Sequence, residues 1–459
     1  MIRSLMRFQF LKGVVTTTVI LSSLVLQAQD SLKTLSLEES IQIALTKSTA
    51  IIKGQNALDI TGAQVLGAYG QFLPDVTFNG AFSYTGGDNL LVVTTPTLVS
   101  SQRSNINYQL VSSINIYNGF ANRASLKAAL LNKEMAGFSL ARARQQITLD
   151  VTQSYLQVIL DKEIVEFAKQ NYQLSMRREE QLKELVTVGR RAQSDLYQQQ
   201  SQTSLDQQFL INAENKLLND KLILLQKLRI NAADTYDFAS VVIDENPLGN
   251  EYTDDQALIE TALAQRSDLK AAQRSQDASL LYVQRYKSGY LPRVSLAGGA
   301  YGVGAHFDKL YINDKNSLPT EQRSYGTQLA DQIYGSVALN IGWTLFDKNV
   351  TRSNVAIARI NALNAKVDYE NVNLQIASEV KQALGNYRTA FQQTITSEKG
   401  LVAAQQAFET LNGRYAAGSA NFIELSNAQN NLLLAKQNRA QASINFFLQK
   451  KSIDYYLGN

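Results

Sequence analysis

Residues 116–123 read IYNGFANR, and residues 345–352, which lie 229 positions further along the chain, read LFDKNVTR. The correspondence continues at the same spacing, without a gap, to two turn sequences that contain Gly189 and Gly418. Self-similarity at one fixed spacing indicates that a supersecondary unit has been used twice. The sequence therefore predicts a pseudo-symmetric architecture with an internal duplication, and a function that depends on that symmetry more than on a single pocket.

The second unit is longer than the first, because the spacing between corresponding residues increases within the unit. An earlier block repeats at a spacing of 218, since Leu73-Pro74 corresponds to Leu291-Pro292. The second unit therefore carries 11 extra residues between Pro292 and residue 345. We expect a first repeat at 29–230, a linker or equatorial segment at 231–252 and a second repeat at 253–459.

The N-terminus has the pattern of a secretory signal. Basic residues precede an apolar run from Val14 to Leu26, and Ala28 supplies a small residue at the cleavage position. The run is shorter than the roughly 20 apolar residues that a membrane-crossing helix needs. We therefore expect residues 1–28 to be removed as a signal peptide.

Composition excludes several kinds of function. The chain has 44 basic and 40 acidic residues, no Cys and one His. Disulfides and cysteine nucleophiles need Cys, most zinc sites need Cys or several His, and nucleic-acid binding favours a basic stripe. A phosphate-binding loop of the Gly-x4-Gly-Lys-Ser/Thr kind is also absent from the sequence. The sequence predicts a protein that is not an enzyme, has no cofactor and no metal, and does not bind nucleic acid.

Each unit begins with a helix of moderate length. Capping boxes, in which a Ser or Thr and a Glu or Gln satisfy the first free amides of a helix, are present as Ser36-x-x-Glu39 and Thr253-x-x-Gln256. From these caps we expect one helix per unit, ending near residues 69 and 287. Small residues and Leu-Pro then stop each helix.

The second helix of each unit is predicted to be very long. All five prolines lie outside 119–230 and 348–459, so neither stretch contains the residue that breaks a helix most strongly. With Asn118 and Asp347 as N-caps, these helices would run to about residues 186 and 416, which makes rods near 100 Å at about 1.5 Å per residue. They would turn at Gly189 and Gly418, which as C-cap residues need positive φ, and return as shorter helices to about residues 229 and 456.

Between the helices the pattern changes to strict alternation, which is typical of strands. Four strands are predicted, after each Leu-Pro and before residues 116 and 345, each with an apolar and a small polar face. Their expected length is roughly 10 residues, as for a tilted strand in a bilayer, with polar loops at 86–104 and 302–331. Four outward aromatics fit an interfacial girdle: Phe82, Tyr84, Tyr108 and Trp343.

Strands with one apolar face fit either the core of a β-sandwich or a β-barrel in lipid. Strand length and long polar links favour the barrel. The smallest such barrels have eight strands, however, and an open sheet in lipid would leave unpaired backbone groups at its edges. Four strands from one chain therefore predict closure by other copies of the chain.

The doubled order of these motifs resembles the TolC family of outer-membrane efflux and secretion conduits. The resemblance rests on the order of elements, which occurs twice. Each unit contains a helix, Leu-Pro, two strands joined by a loop, an Ile/Leu-aromatic-Asn/Asp turn, a long helix, a Gly-x5-Asp/Glu-Leu turn and a returning helix. It implies an α+β membrane protein: a homotrimer in which four β-strands per chain form a 12-stranded β-barrel, continued by long α-helical hairpins into an α-barrel tunnel.

The resemblance also implies a place and a role. It places the protein in the cell outer membrane of a Gram-negative bacterium, with the tunnel extending into the periplasm. The implied function is the passive exit channel of a tripartite efflux or type I secretion system, in which a periplasmic adaptor protein and an inner-membrane pump are the partners. The sequence leaves the transported substrate open. The alternative is a periplasmic coiled-coil adaptor or scaffold without a pore, which predicts one helical hairpin flanked by compact β domains.

Carried over by motif, the family's periplasmic gate falls on the two Gly-x5-Asp/Glu turns. Tyr415 is implied to hydrogen-bond with Asp195, beside Ser194, when the channel is closed. Where the family has a gate Arg, this chain has Ala420. The candidates to replace it are Arg190 and Arg191.

The same motif places an acidic pair at the aperture, where this chain has Glu424 and Asn427. A trimer would therefore present three carboxylates there instead of six, with weaker attraction for cations. The alternative for Asp195 and Glu424 is simple stabilisation of a helix N-terminus. The turns themselves are implied to form the tip that an adaptor contacts, through Gly189, Arg190, Arg191 and Gly418.

Overall fold

The computed structural model describes residues 33–92, 96–231, 236–246, 254–313 and 315–458. The expected signal peptide at 1–28 lies outside these residues. In the first half of the chain the elements are β1 (Lys33–Leu35), α1 (Leu37–Lys47), α2 (Thr49–Gly70), β2 (Asp75–Val92), β3 (Pro96–Tyr117), α3 (Ala121–Thr187) and α4 (Gln193–Leu228). None of the helices among the described residues combines the length and apolar character needed to cross a membrane.

The second half repeats this order. It contains β4 (Tyr236–Phe238), α5 (Asp255–Gln265), α6 (Ser267–Lys287), a short 3-10 turn, β5 (Arg293–Ile312), β6 (Lys315–Asn316), α7 (Tyr325–Asp331), β7 (Ile333–Gly342), α8 (Val350–Ala416) and α9 (Phe422–Leu457). The bounds of α5 are those of α1 displaced by 218 residues, and the bounds of α8 and α9 are those of α3 and α4 displaced by 229. The repeat boundaries 29–230 and 253–459 stay predictions.

The long helices have the predicted length and ends. Both α3 and α8 contain 67 residues, or about 100 Å at about 1.5 Å per residue. The predicted N-caps Asn118 and Asp347 are wrong by two residues. The N-cap positions are taken by Phe120 and Asn349, each the second of two residues in the left-handed conformation. Asp347 Oδ2 nevertheless accepts a hydrogen bond from the Thr351 amide at 2.7 Å, so it still caps the first turn from outside.

The prediction of one helix at the start of each unit is also wrong, because each is divided in two. The breaks fall at Ser48 and Arg266, which are equivalent positions in the two repeats. The capping box of Ser36 and Glu39 is confirmed. In the second repeat the cap is Asp254, whose side chain accepts from two backbone amides; the expected cap Thr253 lies outside the described residues.

The strands form one antiparallel sheet in the order β2-β3-β5-β7, with β6 also paired to β5. Three of them are longer than the predicted 10 residues: β2 has 18, β3 has 22 and β5 has 20, whereas β7 has 10. The loop predicted at 86–104 is therefore mostly strand, and part of 302–331 is strand or helix α7. Backbone pairing continues through this polar sequence because hydrogen bonds in a ladder do not require apolar side chains.

Two glutamines cover the edge of β5 beyond residue 302, where β7 no longer pairs with it. Gln328 accepts from the Ala305 amide at 2.8 Å and donates to the Ala305 carbonyl at 2.9 Å. Gln322 does the same at Phe307, at 2.7 and 2.8 Å. Such an edge would otherwise be a template for pairing with another chain. Tyr108 lies on the same face as Phe78, against which its ring stacks, and donates its hydroxyl to the Leu329 carbonyl at 3.2 Å. Its predicted outward orientation stays a prediction.

The helical part has two large buried apolar clusters and a small third one, formed by Val283 of α6 with Ala358 and Ala362 of α8. The first surrounds Tyr155 and packs α3 and α4 against α1 and the two-stranded parallel sheet of β1 and β4. The second surrounds Ile376 and Phe446 and packs α8 and α9 against α5. The predicted linker at 231–252 thus includes β4, a structured element. The first cluster also includes Ala440, Ile444 and Phe447 of α9, so the two hairpins share part of this core.

Candidate functional site

Two turns, each between a long helix and its returning helix, form the tips of the hairpins. Gly189 has φ 73° and Gly418 has φ 76°, the left-handed conformation predicted for them. The next residue of each turn donates its amide to a carbonyl five residues back: Arg190 to Leu185 and Ser419 to Arg414, both at 2.8 Å. This is the Schellman arrangement, which satisfies the free carbonyls at a helix end.

We expect Gly418→Ala to destabilise the second tip by about 1–2 kcal/mol, because a side chain is strained at positive φ although no atom lies within 4 Å of the added Cβ. Amide hydrogen exchange in the last turn of α8 measures this. The control is Gly413→Ala, a helical glycine that also has open space around it, where Ala is expected to stabilise by roughly 0.5–1 kcal/mol. Equal effects of the two changes would contradict a role for the left-handed conformation.

Tyr415 lies in the last turn of α8 and points toward the other tip. Its hydroxyl oxygen is buried and has no hydrogen-bond partner among the described residues. The predicted bond to Asp195 is therefore not formed in this structure. Burial raises the pKa of the Tyr415 phenol; the guanidinium of Arg191 opposes this shift and the Asp195 carboxylate adds to it.

Arg191 makes the contact with Tyr415. Its guanidinium carbon lies 4.5 Å from the centre of the Tyr415 ring, and Nη2 donates to the Tyr415 carbonyl at 3.2 Å. A cation over an aromatic face contributes about 0.5–1 kcal/mol at an exposed site and more when desolvated. Of the two candidates to replace the Arg missing at Ala420, Arg191 thus joins the two tips, whereas Arg190 is exposed.

The residues predicted to line an aperture lie near the start of the returning helices. Glu424 and Asn427 are exposed on α9, and Ser194 is exposed at the start of α4. The Asn421 side chain accepts from the Glu424 amide at 2.8 Å and donates to the Glu424 carboxylate at 3.1 Å. Glu424 therefore lies in the first turn of α9, next to the Asn421 cap, and remains exposed to solvent.

Comparison with known proteins decides the classification. The profile of the family described as Outer membrane efflux protein matches residues 40–228 and 258–459, which is most of the chain. The chain belongs to the outer membrane efflux protein family. The two matched ranges begin and end within the two repeats, and the residues between them surround β4.

Individual relatives of this efflux protein support the same classification. It is 24% identical over 335 residues to the outer membrane protein TolC of Vibrio cholerae, covering 73% of this chain and 72% of that one. It is 21% identical to TolC of Escherichia coli strain K12, covering 78% and 70%. The predicted family and the outer-membrane location are thereby confirmed, and the family is one of channels and not of enzymes.

Solved structures share the fold of this efflux protein. The outer membrane protein VceC of Vibrio cholerae matches with a TM-score of 0.76 at 16% identity, over 92% of this chain and 96% of that one. CusC matches with a TM-score of 0.77 at 15% identity, over 95% and 96%. The predicted fold of long helical hairpins joined to a small sheet is confirmed.

Sequence reasoning missed a buried polar layer in this efflux protein above the tips, between α3, α4 and α9. Gln429 donates to Asn171 Oδ1 at 2.7 Å, and Arg178 donates to Gln429 and, at 3.2 Å, to Asn412. The layer extends through Ser175, which donates to the buried carboxylate of Asp206. Burial raises the pKa of Asp206. The signal was present as polar residues at helical spacing: 171, 175 and 178 on α3, and 199, 203 and 206 on α4.

Proposed function

We propose that this outer-membrane efflux protein acts as a homotrimeric passive exit duct. Three copies would supply four strands each to a closed 12-stranded barrel, and their hairpins would form a tunnel in the periplasm. The observation that carries the proposal is the exposure of the sheet: every described side chain of β2 and β7 is exposed, including Phe78, Phe82, Leu339 and Ile341. A sheet with exposed apolar residues and free edges fits a barrel in lipid that other copies close.

The helices support the same proposal. Large apolar side chains on α2, α4 and α8 are more than half exposed in the single chain, among them Ile60, Leu66, Leu205, Ile211, Ile357 and Leu363. Apolar surface of this extent usually marks an interface. The scaffold alternative predicted one hairpin flanked by compact β domains, whereas this chain has two hairpins and one extended sheet.

We further propose that the two tips form the periplasmic gate and the contact surface for an adaptor protein, which would link the duct to an inner-membrane pump. Arg191 and Tyr415 would hold the tips together in the closed state, with Asp195 beside them. Glu424 and Asn427 would face the aperture. The exposed turns with Gly189, Arg190 and Gly418 are what an adaptor could reach.

The test of the duct is single-channel conductance of the detergent-purified mature protein in a planar bilayer, with the oligomer mass measured on the same sample. A trimer with small, mostly closed channels is the expected result. A monomer without conductance would overturn the proposal and favour the scaffold.

For the gate, we expect Arg191→Gln to raise the conductance or the open probability severalfold, because it removes the contact with the Tyr415 ring and carbonyl. The matched control is Arg190→Gln at the neighbouring exposed position. Tyr415→Phe should change little, since the hydroxyl makes no hydrogen bond with described residues, whereas Tyr415→Ala should resemble Arg191→Gln. Equal conductance of the Arg190→Gln and Arg191→Gln channels would contradict this gate.

A further inference from the structure

Two grooves open beside the end of α6, where the helices meet the sheet. The first groove lies between α3 and α6, has a volume of about 420 Å³ and contains Arg123, Lys127 and Lys287. The second groove lies between α6 and α8, has a volume of about 640 Å³ and contains Lys287, Arg352 and Arg359. Lys287 thus belongs to both, and the cations gather at the sheet end of three adjacent helices.

The described part of the chain does not neutralise these cations. No acidic residue of that part lines either groove. All of the cationic side chains are exposed, and none has an ion pair or a side-chain hydrogen bond with a described residue. Arg123 and Arg352 are equivalent positions, 229 residues apart, so both repeats carry an unpaired arginine there. Since the fold does not use these charges, they indicate a ligand of negative charge outside the chain.

Exposed aromatic side chains border the grooves on the side of the sheet. Phe120 lines the first groove and is 60% exposed. Trp343 is also 60% exposed, and its indole N–H donates to the carbonyl of Tyr290, a residue of the second groove, at 3.1 Å. At the alternating spacing of a strand, Trp343 continues the exposed apolar face of Leu339 and Ile341. Tryptophan at the end of such a face is typical of the boundary between hydrocarbon and water, so the grooves open beside the membrane surface.

The cations lie at a depth that suits lipid headgroups. Arg123 and Arg352 are the third residues of α3 and α8, about 3 Å from the helix start at about 1.5 Å per residue. On the same scale Lys127 lies at about 9 Å and Arg359 at about 14 Å. Helical side chains tilt toward the N-terminus of their helix, which in α3 and α8 is the sheet end, and long cationic side chains extend to an interface. The headgroup layer is about 5–7 Å thick, so these charges can reach it.

We propose that the two grooves bind the phosphate groups of anionic phospholipids in the periplasmic leaflet of the outer membrane. The proposal rests on the duct proposed above, because the grooves face that leaflet when the helices extend into the periplasm. Arginine can hold a phosphate through two parallel N–H bonds, and Phe120 and Leu291 offer apolar contact to the acyl chains. A zwitterionic headgroup also carries an ammonium group, for which the grooves provide no carboxylate. Bound anionic lipid would fix the depth of the duct in the membrane.

Trp343 is the only tryptophan of the chain, so its fluorescence reports on lipid at the second groove. The purified protein is reconstituted in phosphatidylcholine vesicles that contain a rising fraction of phosphatidylglycerol with brominated acyl chains, which quench tryptophan at short range. The same titration with brominated phosphatidylcholine gives the reference. Basic residues near a membrane surface each strengthen the attraction to anionic lipid, and we expect phosphatidylglycerol to associate here at least about fivefold more strongly than phosphatidylcholine.

The test variant removes the charges of the second groove: Lys287→Gln, Arg352→Gln and Arg359→Gln. Its matched control removes the same number of charges from exposed lysines in the tip halves of α3 and α8, which have no ion pair with a described residue: Lys169→Gln, Lys183→Gln and Lys399→Gln. We expect the test variant to bind both lipids equally and the control to keep the preference for phosphatidylglycerol. The first groove is measured in the same way, with Phe120→Trp as the reporter in a Trp343→Phe chain and Arg123→Gln with Lys127→Gln as its test variant.

Oligomer mass and conductance are measured on the same reconstituted samples. A conducting trimer in which both lipids quench Trp343 alike would overturn the lipid grooves and leave the proposed duct standing, as would a test variant that keeps the preference or a control that loses it. Inorganic phosphate in place of chloride at equal ionic strength should leave the preference unchanged; its loss would mean that the grooves take free phosphate and not lipid. If neither lipid quenched Trp343, this end of the sheet would lie outside the membrane, and both proposals would be wrong.

Discussion

Replacing Ile357 with Asp is expected to leave the chain folded but monomeric. In the single chain Ile357 is 53% exposed, so its side chain contributes little to the fold of α8. In the proposed trimer this side chain would be buried against a neighbouring copy, because Ile357 corresponds, at the repeat spacing of 229 residues, to Ala128 of α3, which is fully buried. An unpaired carboxylate there loses its water at a cost of several kcal/mol, and a closed trimer repeats that cost at all three contacts.

The measurement is the oligomer mass in detergent, together with helix content from circular dichroism. Ile60→Asp should behave in the same way, because Ile60 is the counterpart of the buried Ala278. The control is Val242→Asp, since Val242 is 92% exposed and lies outside the proposed contact. A stable trimer of the Ile357→Asp chain with normal helix content would contradict burial of this face of α8 against a neighbouring copy. Loss of helix content would instead point to a role within the chain.

Helices and tips could be predicted from this sequence because local chemistry fixes them. The absence of Pro allowed the two rods, and Gly189 and Gly418 supply the positive φ that ends them. Strand length could not be predicted in the same way. Alternation of apolar and polar residues reports only the part of a strand that has an apolar face, whereas β2 and β3 continue beyond it through backbone pairing.

The residues of the proposed gate show a similar division. The motif singled out Tyr415 and Asp195, which lie near the tips, but the contact of Tyr415 with Arg191 depends on how two hairpins approach each other. That approach is set by the packing of α3 against α9, which no local motif records. The breaks at Ser48 and Arg266 were missed for the same reason: neither residue is a strong helix breaker, and the partners that stabilise the break are distant in sequence.

Arg266 shows most clearly how partners distant in sequence stabilise a helix break. The side chain is 2% exposed, and it bonds Asp268 at 3.0 Å through Nε and Glu379 of α8 at 2.6 Å through Nη1. Arg142 of α3 lies 3.5 Å from the same Asp268 and donates to the Tyr455 carbonyl of α9 at 2.9 Å. One buried cluster of charges therefore ties the break between α5 and α6 to three other helices.

We expect Arg266→Met, which roughly keeps the volume, to lower the free energy of unfolding by about 3 kcal/mol. Removing one partner of a buried ion pair leaves the other charge uncompensated, at about 3–5 kcal/mol, and the low end applies because the carboxylates of Asp268 and Glu379 are 29% and 25% exposed. Denaturant unfolding followed by circular dichroism measures the loss. The control is Arg274→Met, because the pair of Arg274 with Glu134 is 36% and 53% exposed and should contribute less than about 1 kcal/mol.

The pH dependence of this loss identifies its cause. Burial alone would raise the pKa of Asp268, but the hydrogen bonds and charge of Arg266 outweigh it and hold the pKa below the usual 3.8. A lowered carboxylate pKa contributes stability that is complete above the unfolded pKa and is lost as pH falls through the folded one. The difference between the native chain and Arg266→Met should therefore be constant from about pH 5 to 8 and shrink below about pH 4. A loss that does not change in acid would mean that Arg266 stabilises this break by packing and not by its charge.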